Sequence, residues 1–206
     1  MESPYASWLT RFNLEHPERA IAKDADSEEL RILQDRGIEH ESDFLKSLVD
    51  EGLDVHVIDT EHKTREALIL ETQQAMEQGY PVIFQAFLHD GTFQGYADFL
   101  FKRPGESKLG DYHYAPWDTK LARSVKPYFM VQLCCYAELL ELQQGRLPEE
   151  LGVILGDNTQ TQYRTADFLY SYRAIKANFM QQMAGEFGAD DEPLMPEPGR
   201  DHKPFQ

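Results

Sequence analysis

Asp98, Asp118 and Lys120 are the residues of this chain best suited by type and spacing to do chemistry. Asp118 and Lys120 flank Thr119 in an Asp-Thr-Lys run. Residues two apart in a strand share a face, so the carboxylate and the ammonium point the same way, with Thr119 opposite. Asp98 falls on the preceding strand-like run, on the face shared by Gln94 and Tyr96. If the two strands pair as antiparallel neighbours, the carboxylates converge. Isolated buried charges are expensive, so two carboxylates and an ammonium need one another or a cation. Mg²⁺ takes oxygen ligands and keeps room for a substrate phosphate oxygen. A bound metal polarises a phosphoryl oxygen and lowers the pKa of attacking water. A lysine beside it orients that water and offsets developing negative charge. This combination of groups suits phosphodiester hydrolysis.

Two further groups fit the same chemistry. Gln132 and Tyr136 are four residues apart on an expected helix, hence on one face. A glutamine and a phenol aimed at the sheet can position a water or a phosphate. A tyrosine in so apolar a helix is ordinarily core, but Gln132 interrupts the apolar run from Phe129 to Cys135. His40, three residues after Gly37 on an early helix, offers an imidazole ligand, although a single histidine there is more often a surface or core residue. An Asp-x-Lys tripeptide is common by chance. What singles this one out is the order: Gly-x-x-His, Gly-Tyr-Ala-Asp, Asp-Thr-Lys, then Gln-x-x-x-Tyr.

The elements that must position these residues are legible from periodicity and breakers. Residues 4–14 and 26–50 read as helices, the second capped by Asp26 or Ser27. Asp54–Ile58 reads as a short strand. Thr60–Gln78 reads as a helix stopped near Gly79. Pro81–His89 and Phe93–Phe101 read as strands joined at Asp90-Gly91, a hairpin signal. Lys102–Gly110, with Pro104, Gly105 and Gly110, reads as a loop. Tyr112–Lys120 is a third strand in which Pro116 points to an edge or a bulge. A long apolar helix from Val125 or Pro127 to Gln144 is expected to be buried. Strands at Leu151–Leu155 and Tyr163–Thr165 and a helix over Ala166–Phe187 complete an α/β domain of residues 1–187, a central mixed sheet flanked by helices. From Gly188 to Gln206 the chain is rich in proline, glycine and acids and reads as a linker to a further domain.

Bulk composition sets limits. The chain has 206 residues, 41% hydrophobic and 12% aromatic, enough for one domain with a core. No apolar stretch approaches the length of a membrane span, and Met1–Ser7 lacks the pattern of a secretory signal. Cys134 and Cys135 are adjacent and cannot staple the fold, which fits a reducing cytoplasm. Twenty basic against 36 acidic residues leave a net charge of −16, which opposes phosphate binding. From Phe99 to Pro127 the balance reverses: Lys102, Arg103, Lys108, Lys120, Arg123 and Lys126 face only Glu106, Asp111 and Asp118.

The motifs RGIEHE (36–41), GYADFL (95–100), WDTKLARSVKP (117–127) and QLCCYAELL (132–140) resemble those of RecB-like nucleases in the PD-(D/E)xK superfamily. That group is related to the CRISPR-associated adaptation exonucleases, and it includes a bacterial RecB-like family in which such a domain begins a longer protein. The segments 3–17 and 196–202 are similar to that family as well. The resemblance implies a restriction-endonuclease-like core. It implies that His40, Asp98 and Asp118 bind Mg²⁺ or Mn²⁺, helped by the main-chain carbonyl of Thr119, and that Lys120 is the catalytic lysine. Gln132 and Tyr136 match the family's Gln-x-x-x-Tyr motif, which organises the active site and bound DNA. Arg123 and Lys126 then face the nucleic acid, single- or double-stranded, in repair or defence. A helicase or ribonuclease-like region, fused or associated, is the expected partner. Many relatives carry a four-cysteine iron–sulfur cluster; this sequence has no cysteines placed for one, and no cluster is expected. The alternative, motivated by the acidic net charge, is a non-catalytic module that binds nucleic acid or protein for a larger DNA-processing enzyme.

Overall fold

The computed structural model describes residues 4–22 and 27–184. The Asp26 cap, the expected helix end at Phe187 and the 188–206 tail lie outside the described residues. The helices are α1 (Pro4–Glu15), α2 (Glu28–Asp50), α3 (Arg65–Gln78), α4 (Pro127–Gln144) and α5 (Thr165–Met183). The strands are β1 (Val55–Val57), β2 (Val82–His89), β3 (Gln94–Ser107), β4 (Gly110–Lys120), β5 (Glu150–Leu155) and β6 (Gln160–Arg164). Side-chain caps set two helix starts, since a serine or threonine oxygen satisfies an otherwise orphaned N–H. The Ser27 hydroxyl accepts from the Leu30 N–H at 3.2 Å, and that of Thr64 from the Ala67 N–H at 3.3 Å.

The chain divides into two units. One is Gln34–Lys176; the other draws on the described stretches of residues 1–33 and 177–206. In the second unit α1 stacks Trp8 on Phe12, with centroids 5.0 Å apart, and the Arg11 guanidinium donates to the Met183 carbonyl at 2.6 Å.

The larger unit holds a mixed sheet of six strands in the order β1-β2-β3-β4-β5-β6. Pairs β1/β2 and β4/β5 are parallel and the other three antiparallel. The expected α/β fold with a central mixed sheet is thus the observed one. Neighbouring strand residues alternate between two apolar layers, as the pleat requires. Val82, Phe99, Trp117 and Ile154 pack with Phe44 and Leu48 of α2. Ile83, Leu100, Val153 and their neighbours pack with α3 and α4. Helices therefore cover both faces. No helix among the described residues is long and apolar enough to cross a membrane.

Three local expectations are corrected. Lys102–Gly110 is not a loop: β3 continues to Ser107 and turns directly into β4, with Lys102, Arg103 and Pro104 opposite Tyr114, His113 and Tyr112. The long ladder overrides the Pro and Gly signals, and its registry slips only between Pro104 and Ser107. Pro116 lies on neither an edge nor a bulge but in a central strand, opposite Leu100. Its missing N–H is tolerated because the β4–β5 ladder registers only from Trp117 onward. Gln144 fills the gap just before it, its amide bonding both the N–H and the carbonyl of Tyr114 at 2.8 and 3.1 Å. The last strand is Gln160–Arg164, and α5 begins at Thr165.

Trp117 and Gly152 face each other across the β4–β5 pair. The indole lies flat against the Gly152 backbone, where a Cβ would fall 1.8 Å from Trp117 Cδ2. Only glycine fits there. The indole in turn belongs to the layer over the strand that carries Asp118.

Candidate metal centre

The β3–β4 ladder is registered as far as Phe99 opposite Trp117. Beyond it the Thr119 N–H has no strand acceptor and turns to a side chain. It donates to Oδ2 of Asp98 at 2.7 Å, and the Thr119 hydroxyl donates to the same oxygen at 2.8 Å. Simple alternation turns Thr119 away from Asp98. The structure instead brings it to the carboxylate, because the strands diverge at this point.

Asp118 is fully buried. Among the described residues its Oδ1 has no hydrogen-bond partner. Its one compensation is a close ion pair between Oδ2 and the Lys120 ammonium, as the two-residue spacing predicts. Burial first, and then the nearby Asp98 carboxylate, push the Asp118 carboxyl well above the usual range, against the pull of Lys120. The ammonium also stands 5.5 Å from the centre of the Phe129 ring at the start of α4.

Helix α4 brings its two expected residues to this place. Gln132 Nε2 donates to the Tyr136 hydroxyl at 3.0 Å. Tyr136 is buried, and burial raises its phenol above the ordinary value, with Asp118 and Asp98 adding to the shift. Its ring sits over β3 at Gly95, where a Cβ would be 2.9 Å from Tyr136 Cε1. The glycine of Gly-Tyr-Ala-Asp therefore makes room for the tyrosine of Gln-x-x-x-Tyr.

His40 is half-buried on α2, and its Nε2 is buried without a hydrogen-bond partner. Among the described residues, no three His, Cys, Asp or Glu side chains stand close enough together to form a ligand set. The two aspartates meet, and His40 does not close on them. The donors nonetheless fit a hard divalent ion. Two adjacent carboxyl groups, one fully buried, carry more negative charge when both are ionised than one lysine neutralises. The orphaned imidazole nitrogen is chemically suited to join them.

Sequence reasoning missed two residues here. The Glu41 carboxylate accepts a short hydrogen bond from the Gln85 amide. Burial, followed by the Asp98 charge, raises Glu41 to about 7, against the lowering effects of Gln85 and Lys120. A signal for Glu41 was available: it precedes the buried Phe44 by three residues and Leu48 by seven, on the inward stripe of α2. Gln85 carried none.

Arg123 and Lys126 are exposed in the segment that leaves Lys120 for α4, and Lys126 Nζ lies 5.9 Å from the centre of the Tyr128 ring. No protein-family model matches the chain, and no curated protein matches its sequence.

Proposed function

We propose that the chain is a Mg²⁺- or Mn²⁺-dependent nuclease that hydrolyses DNA phosphodiester bonds. The observation that carries this reading is Asp118: fully buried, beside Asp98, with Lys120 as its one cationic partner among the described residues. A buried carboxylate beside a half-buried one calls for a cation. When bound, the ion supplies charge neutralisation at a phosphoryl oxygen and a lower pKa for the attacking water. Asp98 and Asp118 hold it, with the Thr119 carbonyl and the His40 imidazole as the further donors the family resemblance implies. Lys120 orients the water and offsets charge on the phosphate. Gln132 and Tyr136 steady the phosphate from α4. Arg123 and Lys126 meet the DNA backbone, and the reaction belongs to the cytoplasm, in repair or defence, alongside a helicase or ribonuclease-like partner. The motif order shared with RecB-like nucleases of the PD-(D/E)xK superfamily supports the same reading and a restriction-endonuclease-like core.

The test is incubation of single- and double-stranded DNA with the protein in Mn²⁺ and in EDTA. Cleavage should need the metal and disappear in Asp118→Ala and Lys120→Ala. Cleavage that persists in both variants rules the assignment out.

The net charge of −16 favours a second reading, a non-catalytic module that binds nucleic acid or protein. Retained DNA binding without Mn²⁺ binding in calorimetry would select it.

A further inference from the structure

Gln85 has a backbone φ of 57° in the middle of β2. That is the left-handed region, which costs a residue with a Cβ about 1–2 kcal/mol. Its neighbours Phe84 and Ala86 pair with Phe99 and Ala97, so Gln85 stands opposite Asp98. Phe84 packs in the layer under α2. By alternation the next side chain should point to the other face. Instead Gln85 also reaches α2, where its amide bonds Glu41. The unfavourable φ is what breaks the alternation, and its visible result is a clamped Glu41 carboxylate within the electrostatic reach of Asp98. Strain held at one such point marks a functional constraint.

We infer that Gln85 and Glu41 form a positioning pair that supports the Asp98–Asp118 centre from outside its ligand set and tightens its hold on a divalent cation. The inference rests on the metal-centre reading above. In the structure Lys120 occupies Asp118. An incoming cation competes with that ammonium for the same carboxylate. Gln85 stands opposite Asp98 and binds Glu41, which brings the Glu41 carboxylate within reach of Asp98 and Lys120; when ionised it adds negative potential for the cation and gives Lys120 a second carboxylate to face. The neutral Gln85 amide holds Glu41 without cancelling its charge. Outer groups of this kind typically change metal affinity about 10–100-fold.

The test titrates Mn²⁺ into the intact protein by calorimetry, with free Mn²⁺ followed by electron paramagnetic resonance. Wild type is compared with Glu41→Gln, Gln85→Gly and Asp118→Asn. Glycine accepts a positive φ without strain, so Gln85→Gly removes the amide while relieving the backbone. The expected result is Mn²⁺ affinity lowered about 10–100-fold in both Glu41→Gln and Gln85→Gly, with the metal-free melting temperature of Gln85→Gly equal to or above wild type. Affinities within twofold of wild type in both variants overturn the pairing. So does a Gln85→Gly variant that loses metal-free stability together with affinity, because the pair then serves the fold alone. If wild type binds no Mn²⁺, or Asp118→Asn binds as wild type does, the metal-centre reading fails first and takes this inference with it.

Discussion

Thr119 gives two hydrogen bonds to a single oxygen of Asp98, one from its N–H at 2.7 Å and one from its hydroxyl at 2.8 Å. With Oδ2 committed in this way, the rotation of the Asp98 carboxylate is fixed. Thr119→Val keeps the shape and the N–H bond but deletes the hydroxyl donor. Stability should fall by about 0.5–1.5 kcal/mol in urea denaturation, and Mn²⁺ affinity several-fold. Thr119→Ser, which restores the donor, should recover most of the affinity.

A cation on the Asp118 site stabilises the folded state by mass action. At a Mn²⁺ concentration a hundred times the dissociation constant the gain is about 2.7 kcal/mol. The melting temperature of wild type should therefore climb with Mn²⁺. That of Asp118→Asn should stay flat, and its DNA cleavage should fall by more than about a hundredfold. Thermal melts with and without EDTA, alongside cleavage assays, check both statements.

Gly152→Ala places a Cβ 1.8 Å from Trp117 Cδ2. The indole cannot move aside without disturbing Phe101, whose ring centroid is 5.2 Å away, and the strand that carries Asp118. Overpacking of this kind costs about 1–3 kcal/mol or more. A lower urea midpoint together with weakened Mn²⁺ binding is expected; an unchanged midpoint would contradict the packing described for this face.

Glu138 on α4 ties down α5. Its carboxylate accepts from Arg173 at 2.7 Å and from Lys176 at 3.0 Å. Burial works to raise the carboxyl, but the two cationic donors prevail and hold it below the ordinary 4.5. A depressed carboxyl contributes stability above its unfolded pKa and loses it as pH falls through the folded one. Glu138→Gln should therefore cost about 0.5–1 kcal/mol at pH 7, since Arg173 is more than half exposed and water screens the pair. The gap to wild type should close as the pH falls through the depressed Glu138 carboxyl, below its ordinary range, which urea titrations at a series of pH values would reveal.

What the sequence determined by itself was whatever depends on local period and spacing. Asp118 and Lys120 share a strand face, and they form an ion pair. Gln132 and Tyr136 share a helix face, and they form a hydrogen bond. The hairpin at Asp90-Gly91 closes with the Asp90 N–H bonded to the Phe93 carbonyl at 3.0 Å. The mixed sheet with helices on both sides follows from the order of the strand-like and helix-like runs.

Only the tertiary structure decided what depends on register and on backbone departures from the regular period. The β3–β4 hairpin swallowed a stretch full of turn residues, because a ladder already under way on both sides outweighs local propensity. Thr119 met Asp98 because the two strands diverge just before it. Glu41 came within reach of Asp98 through Gln85, whose left-handed backbone leaves no trace in the identity of a glutamine. Period-based reading assumes a regular backbone, and the centre is built where the backbone stops being regular.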